Sequence, residues 1–256
     1  MAGYEALACF YDALTANVDY DAMGETLCAL LAENGAGSGI LLDLACGSGT
    51  LSALFAKRGY EVIGVDASEE MLAAAQEKRM EEGFDALFLQ QKMEALDLFG
   101  TIDAAVCTLD SLNHLTDEAA FCEALRRVAL FMNDGGVFLF DVNTPYKHAQ
   151  VLGSHTFVYD LDEVFCVWQN SFDQTTQTTH ITLDLFTPDE ADGEVYSRET
   201  EEFSERAYDL GFIAERLKAV HFEVLQILDA HTRGPLRETS ERALFVCKKH
   251  GTQFQF

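Results

Sequence analysis

A chain of 256 residues with 48% hydrophobic side chains can bury a sizeable core, and it is too apolar for disorder. Its formal net charge of -26, from 43 acidic and 17 basic residues, repels phosphates, so nucleic acid and anionic membrane surfaces are poor partners. No apolar run approaches the roughly 20 residues of a bilayer helix, and the first residues lack a basic, signal-like segment, which together give the expectation of a cytoplasmic protein; monomer and homodimer both stay open.

In chain order, residues 4–15 and 21–33 read as amphipathic helices, followed by a glycine-rich joint at 34–39. From 40 to 142 short apolar runs alternate with helical patterns. The expected strands are 40–44, 61–65, 86–89, 102–107 and 137–140, and the expected helices 50–58, 68–82 and 117–131. That rhythm specifies βαβ units around a parallel sheet. Ser68 before Glu69 and Glu70 reads as a helix cap, and 132–136 reads as a turn into the next strand. Beyond Pro145 the period changes to two. Segments 156–159, 163–172, 178–186 and 195–203 predict an antiparallel sheet with turns near Asp173-Gln174 and Asp192-Gly193. A helix at 209–218 and strands at 222–228 and 242–247 close the chain. The organisation is therefore one α/β domain, 1–145 with 208–256, interrupted by a β insertion at 146–207 that is expected to act as a lid. Seven cysteines, with no C-x-x-C pair, read as reduced and mostly buried. His155, His180, His221 and His231 show no ligand spacing, so no metal site is expected.

The segment Leu41-Leu42-Asp43-Leu44-Ala45-Cys46-Gly47-Ser48-Gly49-Thr50 takes a buried strand through small residues into a helix. Glycines there permit unusual dihedrals, and the helix start offers unpaired N–H groups to a ligand. A dinucleotide site would continue as G-x-G-x-x-G, but Ser52 stands at the third position, and Asp43 would sit close to a pyrophosphate. S-adenosylmethionine carries a sulfonium and an ammonium, so an acid beside the loop favours it. Asp66 ends the second expected strand, where a carboxylate can accept hydrogen bonds from both ribose hydroxyls; on its own it fits either cofactor.

On these residues the chain resembles the class I S-adenosylmethionine-dependent methyltransferases, whose first motif, D-x-A-C-G-T-G, matches Asp43 to Gly49 with Ser48 in place of Thr. The resemblance implies a doubly wound, seven-stranded, mostly parallel sheet. It also implies cofactor contacts from Asp43, Ala45, Cys46, Gly47 and Gly49 in the loop and from Asp66, Ala67 and Met71 after the second strand. Met93 and Glu94 would cap the adenine, and Leu109 and Asp110 would face the methionine end. Tyr11, with Tyr4, lies on the first helix, which in this family closes over the cofactor. Within the family the chain is most similar to bacterial small-molecule enzymes that begin Tyr-Asp-x-Leu, here Tyr11-Asp12-Ala13-Leu14, and carry a β-rich insertion after the fifth strand.

The acceptor side is read from three places. In similar amino-sugar N-methyltransferases the segment after the fourth strand is S-S-x-G-H-L, which sets His114 beside the acceptor and replaces its glycine with Asn113. His114 is then either a proton acceptor or a residue at a helix start hydrogen-bonded to backbone. Asn143 and Tyr146 follow the fifth strand, where acceptors bind in this architecture, and Asp141 suits a turn cap equally. Trp168, among Tyr159, Phe165 and Phe172 with interspersed acids, suits a lid over a cationic amine or a sheet with one buried face. The expected function is methyl transfer to a small molecule, nitrogen before oxygen, by in-line displacement. The rival reading is a cofactor-binding module without catalysis.

Overall fold

The computed structural model describes residues 5–188 and 195–251, the side chains of 5–9 excepted. Tyr4, the Cys9 thiol and the turn expected at Asp192-Gly193 lie outside the described residues. Two helices open the chain, α1 (Glu5–Leu14) and α2 (Tyr20–Glu33). Then come β1 (Ile40–Leu44), α3 (Thr50–Lys57), β2 (Glu61–Asp66), α4 (Glu69–Glu82), β3 (Ala86–Gln90) and β4 (Ile102–Cys107). A short 3-10 turn, Ser111–His114, precedes α5 (Glu118–Phe131) and β5 (Met132–Asn143). The lid strands are β6 (Thr156–Asp160), β7 (Phe165–Asp173), β8 (Thr178–Pro188) and β9 (Tyr196–Arg206). The chain closes with α6 (Leu210–Ala219), β10 (Phe222–Asp229) and β11 (Arg242–Lys249).

The main sheet has the order β10-β11-β5-β4-β1-β2-β3, with only β11 reversed among its strands. The chain steps outward from β1 to β3 and then crosses back to β4, so the order reverses between β1 and β4. Loops at the carboxyl ends of those strands diverge and leave a crevice. Alternation drives the packing: on β5, Val137 and Leu139 join one buried layer with α2 and α3, and Phe138 and Phe140 the opposite layer with α5 and α6. Each such side chain contributes about 1.5–3 kcal/mol of burial free energy. Helix starts are set by caps: Ser68 accepts from the Met71 N–H, and Asp117 and Asp209 serve α5 and α6 in the same way.

One boundary differs from expectation. β5 begins at Met132, paired with Ile102, and the turn read at 132–136 is an irregularity inside the strand, which resumes with Val137 opposite Ala104. Gly135 takes φ 80, and a Cβ on Gly136 would lie 2.9 Å from the Asn133 carbonyl, so glycine is required at both.

The second sheet, β6-β7-β8-β9, is antiparallel throughout. Its inner face, built on Val164, Cys166, Ile181, Leu183 and Leu185, packs against Phe10, Tyr11 and Leu14, so α1 lies between the second sheet and α4 of the main domain. A π-helical turn, Lys147–Leu152, joins β5 to it. The six cysteines with described side chains are free thiols, four of them buried. Among the described residues no helix is long and apolar enough to cross a membrane, and no cluster of three His, Cys, Asp or Glu is placed to hold a metal ion.

Candidate active site

The glycine loop is held in three left-handed conformations, at Ala45 (φ 60), Gly47 (φ 53) and Gly49 (φ 76). Gly49 must stay bare, because a Cβ there would meet Ala75 at 3.0 Å. Beneath the loop, the Asp43 carboxylate is buried and accepts from Ser52 Oγ at 2.6 Å. The serine that breaks the dinucleotide pattern therefore has a task of its own in the first turn of α3. Burial pushes the Asp43 carboxyl up to about 6, with the Ser52 hydrogen bond opposing.

A cavity of about 310 Å³ opens at the carboxyl ends of β1, β2 and β4. Asp66 accepts the Gly47 N–H through Oδ2 and the Ser68 N–H through Oδ1, both at 2.9 Å. Those bonds aim the carboxylate while leaving lone pairs for a diol, since an ionised carboxylate offers about four acceptor sites. On the same wall, Glu94 Oε2 is buried without a partner. An orphaned acceptor is costly unless a ligand supplies a donor, as an adenine amino group would. Tyr11 of α1 closes another side. Asp12 fastens that helix by accepting from Ser48 Oγ at 2.6 Å and from Lys78 Nζ at 2.8 Å. Deeper in, a space of about 30 Å³ lies among Tyr11, Asp43, Cys46, Gly47 and Thr108, where the loop meets β4. Diol acceptor, orphaned carboxylate and buried acid fit an adenosine bearing a cationic amino-acid tail.

At the far end, Leu109 (φ 54) and Asp110 (φ 56) form a strained turn whose two N–H groups both point at the Asp141 carboxylate, at 3.1 and 2.8 Å. Arg242, opening β11, reaches Asp110 at 2.5 Å and Asp141 at 3.2 Å. Burial alone would raise Asp110; the Arg242 guanidinium, then Lys147, hold it down at about 2. Asn143 donates to Asp110 at 2.7 Å and to Glu205 of β9 at 3.0 Å. His114 closes the cavity wall beside this cluster, its ring 5.2 Å from that of Phe203. Burial holds its pKa below the usual 6.5, against the pull of Asp110 and Asp66.

Of the expected cofactor contacts, Tyr11, Ala45, Gly47, Asp66, Ala67, Met71, Met93, Glu94 and Leu109 line the larger cavity. Asp43 and Cys46 line the smaller space. Gly49 lies beneath, against Ala75, and Asp110 turns away from the wall into the ion cluster. The expected acceptor residues sit elsewhere. Asn113 is fully buried and spans the seam between core and lid, donating to the Arg206 carbonyl at 2.8 Å and accepting from the Asn143 N–H at 2.9 Å. Asn143 is occupied by Asp110 and Glu205, and Tyr146 leads the π-helical turn off the cavity wall. Trp168 packs in the lid cluster behind α1 and donates to Asn170 at 2.8 Å. His114 ends its 3-10 turn and does not start a helix. Sequence reading missed Glu205, Arg242, Lys147 and His148. The one available signal was a charged residue, Arg242, directly before the apolar run 243–247.

The switch-point crevice, with Asp66 and the glycine loop on its wall, has the form of an α/β site for an adenosine-bearing cofactor. The methyltransferase domain family profile matches residues 41–136. Over 250 residues the chain is 32% identical to the putative methyltransferase YqeM of Bacillus subtilis (strain 168), covering 97% of this chain and 98% of that one. The crystal structure of an S-adenosylmethionine-dependent methyltransferase from Clostridium acetobutylicum ATCC 824 superposes with a TM-score of 0.87 at 32% identity, over 97% and 99% of the two chains. The sugar N-methyltransferase KedS8 from Streptoalloteichus sp ATCC 53650 gives 0.79 at 23% identity over 98% and 95%, a likeness of fold alone. The chain belongs to the S-adenosylmethionine-dependent methyltransferase family, and S-adenosylmethionine is its cofactor.

A pH dependence follows from Asp43. With a folded pKa near 6, above the ordinary carboxylate value, this corner of the fold gains stability when protonated and loses it as pH rises through about 6. The cofactor's ammonium group, which S-adenosylhomocysteine keeps, prefers the anion, so affinity is expected to run the opposite way. The dissociation constant of S-adenosylhomocysteine, followed by calorimetry, is expected to be flat above pH 7 and to rise toward about tenfold per unit below 6. An Asp43→Asn variant should bind weakly with no such slope.

Proposed function

We propose that the enzyme methylates the nitrogen of a small amine by in-line displacement. The carrying observation is the cavity wall itself: its described residues include Asp66, Glu69, Glu70 and Glu94, one imidazole, His114, and no lysine or arginine. With Asp66 and Glu94 answering the cofactor, the exposed Glu69 and Glu70 and the lack of a basic side chain still favour a cationic acceptor over a phosphate. The bound cofactor supplies a methyl group on a sulfonium with a neutral thioether as leaving group. The chain's residues then need to orient the acceptor and remove its proton; proximity and orientation can supply on the order of 7–11 kcal/mol of the barrier. His114, kept neutral by burial, retains a lone pair at working pH and suits the proton transfer that frees the amine. The similarity of fold to a protein named as a sugar N-methyltransferase, lid included, is consistent with this reading.

The test is turnover against a panel of small amines, phenols and carboxylic acids, with products identified by mass spectrometry. An N-methylated amine is expected, and His114→Asn should lower kcat on the order of 100-fold. An O-methylated product, or unchanged turnover in the variant, would overturn the reading.

A further inference from the structure

Strand β9 belongs to the lid, yet two of its residues on one face, Phe203 and Glu205, close on His114 of the core. The Phe203 ring lies 5.2 Å from the imidazole, and Glu205 Oε1 lies 3.9 Å from His114 Nε2. The other oxygen, Oε2, accepts from Asn143 at 3.0 Å and faces His148 Nε2 at 3.9 Å. His148 is fixed in turn, fully buried, with its Nδ1 2.8 Å from Thr179 Oγ1. Desolvating a carboxyl group is expensive, and a glutamine would satisfy Asn143 equally well. A carboxyl group kept 2% exposed between two imidazoles calls for a reason beyond packing.

We propose that Glu205 is a positioning residue for His114: when ionised, its charge 3.9 Å from Nε2 favours the Nε2–H form of the imidazole, which leaves the lone pair on Nδ1. This rests on the proposed role of His114. The proton balance is simple. The acceptor nitrogen gives its proton to Nδ1, the Nε2 hydrogen moves toward Glu205, and the freed nitrogen lone pair takes the methyl group as the carbon–sulfur bond breaks. Other charged groups face the pair from each element: Asp110 and Asp66 from the core loops, Lys147 and His148 from the π-helical turn, and Arg242 with Asp141 from the strand ends. Burial first, then the Asp110 charge, push Glu205 up to about 8. Below that pH the charge is lost, and with it the preference for the Nε2–H form.

The test is nitrogen NMR of His114 in the S-adenosylhomocysteine complex, which needs no acceptor and stands whether or not amines are the substrate. In the wild type the neutral ring is expected to change from the Nδ1–H to the Nε2–H form as pH rises through about 8, and kcat to rise with it. Glu205→Gln carries no charge at any pH, so the ring shows no such change, kcat falls on the order of tenfold or more at high pH, and cofactor affinity is unchanged. Glu205→Asp keeps the carboxylate and should retain the tautomer change. Equal loss of kcat in both variants with the tautomer unaltered, or wild-type kcat in Glu205→Gln, would overturn the proposal.

Discussion

Arg242→Ala is expected to lower stability by about 3–5 kcal/mol, enough to shift Tm on the order of 10 °C. The guanidinium side chain is 12% exposed and is shared by Asp110 and Asp141, which are 16% and 4% exposed. Its removal leaves two buried carboxylates facing each other. The strained Leu109-Asp110 turn, held by N–H bonds to Asp141, loses its counter-charge with them. The pH sign follows from Asp110, whose folded pKa of about 2 is below the unfolded value. Its contribution is complete above about pH 4 and is lost as pH falls toward 2, so the gap between wild type and variant should be widest near neutrality and close in acid. Arg242→Lys, with a point charge in place of a two-pronged donor, should fall between them. Thermal unfolding of the three proteins from pH 7 to pH 3 measures all of this; equal Tm values at neutrality would remove Arg242 from the stabilising cluster.

The second large effect is on the cofactor. Asp66→Asn is expected to weaken S-adenosylhomocysteine binding on the order of 100-fold, since hydrogen bonds to a charged acceptor are worth about 1.5–3 kcal/mol each and two hydroxyls depend on it. The substitution also aims an amide N–H₂ at one of the two backbone N–H groups the carboxylate now accepts, from Gly47 or Ser68. The glycine loop would then lose an anchor as well as the diol its acceptor. Calorimetry should show the loss as affinity, with kcat at saturating cofactor much less affected and Tm changed by a few degrees. Affinity within threefold of wild type would place the ribose elsewhere.

What the sequence made legible was local. Asp43, Gly47 and Gly49 fall within seven residues, and Asp66 ends the neighbouring strand, so the glycine loop and the two acids that flank it could be found from local sequence. The parallel sheet was legible because its strands are continuous apolar runs joined by capped helices. The ion cluster was not, because residues 110, 141, 143, 148, 205 and 242 come from separate segments and share no period. Glu205 in particular stands in a run of charges, 199–206, which reads as a solvated face until the partner strand fixes which residues point inward. Trp168 illustrates the converse. Period two announced one buried face on β7 but carried no information about what covers it, and the covering element is the first helix of the same chain.

The two seams of the lid have a bearing on how such enzymes diverge. The insertion leaves the core at Asn143 and returns at Arg206, and both points are bound by the side chain of one residue, Asn113, with Arg206 clamped further by the Thr116 carbonyl and by Glu118. Between those stitches the lid strands bond only to one another in their ladders. Mutations on the outward face of β6 to β9 can therefore accumulate without moving the frame that holds the cofactor, whereas those on the inner face, which packs on Tyr11 and Leu14, and at Thr179, which holds His148, reach it. The outer surface of the insertion is thus the part of the chain with most latitude to vary, while the joints, and the residues just inside them, stay as they are.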